Sequence, residues 1–219
     1  MVNKIFYLFY HIFPLCFLIT VKKISVANFD SIASGLCVIL GISSKARMFA
    51  IDRKFIESLI DNLNEIQYYL MTHTKPQSIL RSKKRSPVIH YLNWTILLLC
   101  NTFSNCEVGK NICADHSLIV PINKLWPWII SDEMSRHHTI QMLLSYTNSC
   151  PKSSHSMCVT VGTNSLLAEV IDLVMKEMSL VSRSRSLLAL EGCLEILKNV
   201  SNHIHCRTII VKVFFQFYS

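Results

Sequence analysis

Nine cysteines and nine histidines are the side chains of this chain that could hold a metal ion. They come closest together in two groups, one between Cys106 and His116 and one between His203 and Cys206. A structural zinc site needs four ligands, usually in short pairs at characteristic spacings. Neither group has such a spacing, and no fourth ligand lies near the first group. The sequence therefore predicts no metal site and no cofactor, and we interpret these side chains as core or surface residues.

Nucleophilic catalysis would need a serine or cysteine held beside a base. His155 lies close in sequence to Cys150 and Cys158, but such proximity is expected by chance in a chain so rich in both residue types. The carboxyl pair Asp61 and Glu65 is spaced one helical turn apart, as on an ordinary solvated helix face. The chain has no GxSxG, phosphate-loop or HExxH motif. We therefore predict that the protein is not an enzyme and has no small-molecule substrate.

A short basic run contributes to the net charge of +8. Its charged residues are Arg81, Lys83, Lys84 and Arg85. A run of this kind could contact nucleic acid, an acidic lipid or an import receptor, although most charge runs in loops are only solvated. No aromatic side chains are interleaved for base stacking, so we do not expect nucleic acid as a partner.

The elements that carry these residues follow a pattern that occurs four times. The first aligned apolar position of each copy is Leu36, Leu99, Leu144 or Ile196. The aligned basic position, eleven residues further along, is Arg47, Lys110, His155 or Arg207. Each copy reads as an apolar helix, a small polar turn, the basic residue or histidine, and a second apolar helix. The spacings between copies are 63, 45 and 52 residues, and helix pairs repeating every 40 to 47 residues or so are typical of armadillo and HEAT solenoids.

The pattern predicts an all-α fold, namely an armadillo/HEAT-like α-solenoid of three to four helical repeat units. The repeats span residues 28–212, with a basic loop insertion at 72–90 and an irregular aromatic tail at 213–219. An alternative stays open, because leucine-rich stretches of any all-helical protein can be aligned in this way. Solenoids of this kind bind other proteins through a long surface, with affinity from a few anchoring side chains.

The four aligned basic positions suggest where such a partner would bind. If they share one repeat position on the surface, they form a basic ladder that suits an acidic or extended peptide. The alternative is that they only cap the carbonyl groups of the preceding helix. The sequence alone does not decide between the two.

The amino-terminal region, residues 1–27, has a different composition. Ile5 to Val21 is almost unbroken apolar sequence, with Lys4 before it and two lysines after it. This segment could be a signal peptide or a short membrane anchor, although 17 residues is near the lower limit for a span. It could equally be a buried helix or an extension that does not belong to the fold. The nine cysteines show no CxxC pair, which favours a reducing compartment.

Two stretches resemble the armadillo-type units of the rotatin family. Leu99 to Leu118 carries a similar leucine-rich helix, Asn/Ser turn, Gly-basic step and second helix. Met142 to Lys212 resembles the last repeats of that family in order and spacing, through MLLSYTNSCPKSSHSMCVTVGTNSLLAEVIDLVMKEM and SRSLLALEGCLEILKNVSNHIHCRTIIVK. The similarity covers roughly residues 28–212.

The resemblance implies a cytoplasmic scaffold of centrioles and ciliary basal bodies. Other centriolar or ciliary proteins would be its partners, and the family has no catalytic residues to carry over to this chain. Rotatin-like proteins are far longer than 219 residues, so the resemblance also implies that this chain is a fragment. The rival expectation is a membrane-anchored or secreted helical protein that uses residues 5–21.

Overall fold

The computed structural model of the protein describes residues 26–81, 86–179 and 187–218. Within these ranges the chain forms twelve helices and one two-stranded hairpin. The helices are α1 (Val26–Ile42), α2 (Ser44–Asp52), α3 (Phe55–His73), α4 (Pro76–Arg81), α5 (Pro87–Phe103), α6 (Glu107–Asp115), α7 (Ile119–Ser131), α8 (Glu133–Thr147), α9 (Pro151–Met157), α10 (Leu166–Ser179), α11 (Leu187–Ser201) and α12 (Ile204–Tyr218). Strands β1 (Thr160–Val161) and β2 (Asn164–Ser165) pair antiparallel between α9 and α10. The prediction of an all-α fold is thus confirmed for the described part of the chain.

A long helix, a short helix and a second long helix follow one another three times along the chain. The three sets are α1 to α3, α5 to α7 and α8 to α10, and α11 with α12 begins a fourth. Local sequence sets several of the boundaries. Ser43 caps α2 by accepting a hydrogen bond from the amide of Ala46, and Asp132 caps α8 by accepting from Ser135. Proline opens α5 and α9, where its missing N–H is not needed.

The first long helices of successive sets pack side by side in a row. Helix α1 packs on α5, α5 on α8 and α8 on α11. The second long helices make a parallel series, in which α3 packs on α7 and α7 on α10. Each set therefore buries its apolar side mainly against the sets next to it along the chain.

The buried positions of the first long helices show which residues are equivalent. In three of these helices the four aligned core positions are Phe29, Ala33, Leu36 and Leu40 in α1; Leu92, Ile96, Leu99 and Phe103 in α5; and Ala189, Cys193, Ile196 and Val200 in α11. In α8 the same spacing falls on Ile140, Leu143 and Thr147, all of them buried, after the half-buried Arg136. The alignment predicted from sequence thus holds for the first, second and fourth copies.

The third copy is shifted by one residue from the predicted register. Leu143 is fully buried and occupies the position of Leu99, whereas Leu144 is only half-buried. One residue turns a helix by about 100°, so the predicted alignment on Leu144 placed the wrong side of α8 toward the core. The short helix α9 begins at Pro151. The corrected register places its start at this residue, whereas the predicted register would place it one residue later.

Two segments predicted to be irregular contain helix. Within the 72–90 insertion, α3 continues to His73 and α4 forms and packs on α7. Within the 213–219 tail, α12 extends to Tyr218, and both Val213 and Phe214 pack against the core. Apolar side chains that break the repeat pattern are therefore still used for packing.

Residues 5–21, predicted as a signal or anchor, lie outside the described residues. Among the described helices, none alone is long and apolar enough to cross a bilayer. Phe29–Ile42 and Ser44–Asp52 meet that criterion only when taken together, with a bend of 113° between them.

Candidate functional site

A junction between a long helix and the next helix recurs in all four sets. Its third helical residue is small and buried each time, as Ala46, Gly109, Ser153 and Cys206. Gly109 shows why size is limited there. A Cβ atom added to it would lie 3.0 Å from the Cβ atom of Phe103 and 3.2 Å from its Cα atom. The helix after each junction therefore crosses close to the last turn of the long helix before it.

The next residue of the junction donates a hydrogen bond to carbonyl groups left unpaired at the end of a long helix. Arg47 donates to the carbonyl oxygens of Leu40 at 2.7 Å and Gly41 at 3.2 Å. Arg207 donates through Nε to the carbonyl oxygen of Ser201 at 2.6 Å, the position equivalent to Gly41. In the third set the donor is a serine: Ser154 donates to the Thr147 carbonyl at 3.3 Å, a position equivalent to Leu40. These contacts satisfy acceptors that every helix end leaves open.

Lys110 occupies the same position but reaches into the following set. Its Nζ donates to the carbonyl oxygen of Asn148 at 2.7 Å, at the end of α8. The residue is only 6% exposed, and this burial lowers the pKa of its ammonium group, an effect opposed by the nearby Cys150, Cys106 and Glu107. A buried cation at this point connects α6 of one set with α8 of the next.

Replacing Lys110 with methionine is expected to lower the free energy of unfolding by about 1 kcal/mol. The change keeps the length of the side chain but removes the donor to Asn148, and a net hydrogen bond is worth about that much. Lys124→Met on the exposed side of α7 is the matched control, with an expected change within about 0.5 kcal/mol. Urea unfolding of both variants measures the difference. Equal stability of the two would show that the Lys110 contact contributes nothing.

The structure gives different surroundings to the four residues predicted to form a basic ladder. Arg47 and Arg207 donate to carbonyl groups at the end of the preceding long helix, whereas Lys110 is buried against the end of the following one. His155 is exposed on α9, one residue beyond the equivalent position, which Ser154 occupies. Surface access is therefore left to His155, to Arg207 and to part of Arg47.

The predicted basic patch falls at the edge of the described residues. Arg81 is the last residue of α4, and its side chain is not described. Lys83, Lys84 and Arg85 lie outside the described residues. The proposed contacts of this patch therefore remain a prediction.

One polar cluster was not predicted from sequence. A carboxylate oxygen of Asp30 in α1 lies 2.5 Å from Nε2 of His90 and accepts a hydrogen bond from the Trp94 indole at 2.9 Å. The three side chains join α1 to α5, and all are partly buried. Their sequence separation of 60 and 64 residues leaves no local pattern by which the contact could have been found.

The described residues that the sequence suggested for catalysis or metal binding do not lie together in one site. Cys150 and Cys158 are buried, whereas His155 is exposed. Burial, and to a lesser degree the neighbouring Asp61, raises the pKa of Glu65. In the described ranges, no three His, Cys, Asp or Glu side chains are placed to hold a metal ion together.

An open cleft of about 430 Å³ lies between the first turns of α8 and α11, lined by residues that include Glu133, Arg136 and Leu188.

Comparison with known proteins gives a partial match to one protein. No protein-family model matches the chain, and no solved structure does. Human rotatin is 27% identical over 127 residues, and mouse rotatin is 26% identical over 127 residues. In each case the match covers 58% of this chain and 6% of the relative, so the chain spans a small part of their length. These matches, at low identity but with two orthologues, support a rotatin-like relationship for this chain.

Proposed function

We propose that this chain is a non-catalytic protein–protein interaction scaffold of the armadillo type, acting in centriole and ciliary basal body assembly. The observation that carries the proposal is the junction repeated at Ala46, Gly109, Ser153 and Cys206. A small buried residue followed by a donor to a helix end, repeated along a row of helices, supports a stack of repeat units that contact their neighbours. The rotatin-like similarity supports the cellular role.

The row of helices favours a binding role over catalysis for a physical reason. Repeat units that contact mainly their neighbours leave an extended surface rather than a closed pocket. Partners bind such surfaces through a few anchoring side chains surrounded by weaker contacts. The long-short-long order of each set, with α2, α6 and α9 as the short members, supports armadillo-like units over simple helix pairs.

The proposed contact surface lies on three of the helices that follow the junctions, namely α2, α9 and α12. It comprises the exposed His155 and Arg207 with the half-buried Arg47. Lys110 is left out because it is buried against Asn148. The partner expected at this surface is an acidic protein segment, since the protein as a whole carries a charge of +8.

Localisation of the full chain in ciliated cells tests this proposal. A fluorescent fusion at the carboxyl terminus is expected to overlap with a centriolar marker. The double variant His155→Glu/Arg207→Glu is expected to lose that overlap, because acidic side chains would repel an acidic partner. The matched control Lys124→Glu/Lys176→Glu changes charge at exposed sites of α7 and α10, outside this surface, and is expected to keep it.

Two other outcomes would contradict the proposal in different ways. Diffuse signal for the wild-type chain would remove the centriolar role. Retention in the endoplasmic reticulum or export would favour a membrane-anchored or secreted protein that uses the apolar segment 5–21.

A further inference from the structure

A contact between successive sets falls at the small residue of a junction. Ile51, in the last turn of α2, lies against Gly109, the junction residue of the second set. A Cβ atom added to Gly109 would lie 3.3 Å from the Ile51 Cδ1 atom. The side chain at the end of one short helix therefore reaches the helix that begins the next junction.

The equivalent contact between the third and fourth sets is made by two cysteines. In the register of the buried positions, Ile51 of the first set corresponds to Cys158 of the third, because each follows the aligned leucine of its set by fifteen residues. Gly109 corresponds to Cys206, the junction residue of the fourth set. The repeat thus predicts that the side chains of Cys158 and Cys206 meet, and we name these two residues the thiol pair.

The structure brings the thiol pair together in the way that the repeat predicts. Cys158 directly follows α9, Cys206 lies in the first turn of α12, and the two helices pack on each other. The two cysteine side chains share a hydrogen bond, and the Cys158 thiol also donates to the Ser154 carbonyl at 3.8 Å. Because a disulfide needs Cβ atoms about 4 Å apart, two thiols in contact require little movement to be linked.

Burial protects the thiol pair in the folded chain. Cys158 is 9% exposed and Cys206 is 1% exposed. Burial, and after it the contact with Cys206, raises the pKa of Cys158 to about 12, so this thiol stays protonated at neutral pH and reacts slowly. Helix α12 is the last described helix and packs mainly on α9, α10 and α11. Opening of this end therefore costs less free energy than opening inside the row, and it admits an oxidant to the pair.

We propose that Cys158 and Cys206 form a reversible intrachain disulfide that links the third set to the fourth. The oxidant is a low-molecular-weight disulfide, for which glutathione disulfide is the probe. The thiolate of one cysteine attacks a sulfur of glutathione disulfide, which releases one glutathione thiolate and leaves a mixed disulfide. The thiolate of the other cysteine then attacks the protein sulfur of the mixed disulfide and releases the second glutathione. Two electrons pass to glutathione disulfide, and the two thiol protons go to the glutathione thiolates.

The disulfide would hold together the two helices that carry the exposed His155 and Arg207. In a reducing compartment such bonds are transient and report the redox state. The end of the row thus gains a covalent link under oxidising conditions and loses it when glutathione is in excess. This inference does not rest on the proposed function, because the bond is measured on the purified protein.

Two other buried thiols provide internal comparisons. The Cys37 side chain is hydrogen-bonded to the Asn101 side chain, although Cys100 lies nearby. Cys193 lies in α11 beside charged side chains, which include Glu177. Both thiols are expected to stay reduced under conditions that link the thiol pair.

Peptide mapping of the purified full chain after treatment with glutathione disulfide tests the proposal. Free thiols are alkylated and the protein is digested with trypsin. Cys158 is the single cysteine of peptide 153–176, and Cys206 is the single cysteine of peptide 199–207. The linked product of these two peptides is expected to be at least about tenfold more abundant than any other linked pair. In concentrated urea the same treatment should spread the links over many pairs, because folding no longer brings two thiols together.

Thermal unfolding under the same conditions measures the effect of the bond. Oxidation is expected to raise the unfolding midpoint of the wild-type chain by about 5 to 10 °C, since the disulfide closes a long loop in the unfolded state. Cys158→Ala and Cys206→Ala should lose both the linked peptide and this rise. Cys193→Ala, which removes another buried thiol, is the matched control and should keep both. Excess glutathione should return the wild-type midpoint to its reduced value.

Three outcomes would overturn the proposal, and each is read on the wild-type chain, so that none depends on the folding of a variant. The first is a thiol pair that stays fully reduced in excess glutathione disulfide. The second is glutathione retained as a stable mixed disulfide on either cysteine. The third is a main product that links other cysteines, such as Cys37 with Cys100.

Discussion

Raising the pH from about 7 to about 10 is expected to lower the free energy of unfolding by several kcal/mol, because burial raises the pKa of five described thiols, those of Cys37, Cys100, Cys113, Cys158 and Cys193. Burial raises the pKa of Cys37 to about 12, that of Cys100 to about 11 and that of Cys193 to about 12, from an ordinary value of 9.0. A pKa raised in the folded state favours folding only while the thiol stays protonated in both states. That contribution is complete below pH 9 and is lost as the pH rises toward 12, because the unfolded chain ionises first. At pH 10 each thiol accounts for about 1.4 kcal/mol.

Urea unfolding at several pH values measures this loss, and single variants assign it. Cys193→Ala and Cys100→Ala are each expected to reduce the loss between pH 7 and pH 10 by about 1.4 kcal/mol. Val200→Ala, at a buried position of α11, is the control: it lowers stability at every pH but leaves the pH-dependent loss unchanged. An unchanged pH-dependent loss in Cys193→Ala would show that its thiol does not titrate as stated.

The long helices could be predicted from sequence because their apolar residues recur at helical spacing. Phe29, Ala33, Leu36 and Leu40 form the observed buried side of α1, whereas Ile32, which fits the same periodic pattern in the sequence, is exposed. Periodicity works here because α1 is covered on one side by the same core along its whole length. The all-α class followed from several such stripes.

The register of the third copy was predicted wrongly because apolar residues are adjacent there. Leu143 and Leu144 both fit a leucine-rich pattern, and only Leu143 is fully buried. The information that decides the register lies in the small buried residue of the junction, Ser153, which aligns with Gly109. A search for small residues at the crossing point, rather than for basic residues after it, would have found the shift.

Contacts that depend on tertiary structure could not be predicted in this way. Helix α7 continues through Pro127 to Ser131, although an interior proline removes a backbone hydrogen bond. Trp126 and Trp128, on either side, are both buried, and burial of two indole rings outweighs the roughly 3 kcal/mol that an interior proline costs. The Lys110 contact with Asn148 likewise spans 38 residues, so nothing in the neighbouring sequence indicates it.

The basic residues show that side chains at the same position of the repeat can make different contacts. The sequence alignment suggested that they form one surface feature. In the structure, Arg47 and Arg207 donate hydrogen bonds to carbonyl groups of their own sets, whereas Lys110 donates to a carbonyl group of the next set. The side chains of Arg47, Lys110 and Arg207 all donate hydrogen bonds to carbonyl groups at the end of a helix. They do not share exposure to solvent. A structural requirement that recurs in each set produces a sequence pattern that looks like a binding site. The surface role is therefore proposed for His155, Arg207 and the half-buried Arg47, and not for Lys110.

Replacing Gly192 with leucine is expected to lower the free energy of unfolding by about 3 kcal/mol, because overpacking of a close helix contact costs about that much. Even a Cβ atom at Gly192 would lie 2.4 Å from the Ile140 Cγ2 atom, so α8 and α11 must separate to admit a larger side chain. The measurements are urea unfolding and amide hydrogen exchange. Exchange should rise in α11 and α12 while α1 to α3 stay protected, since neighbouring sets carry most of the contacts.

Gly35→Leu is the matched control, because it makes the same chemical change inside another first long helix. A Cβ atom added to Gly35 meets nothing within 4 Å, so the only expected effect is a gain in helix propensity of about 0.8 kcal/mol. Comparison of the two variants thus separates the effect of helix propensity from the effect of packing. Leucine should stabilise the chain at Gly35, which has open space, and destabilise it at Gly192, where α8 and α11 cross. Equal effects at both would mean that α8 and α11 are not in close contact, and the row of long helices would then end at α8.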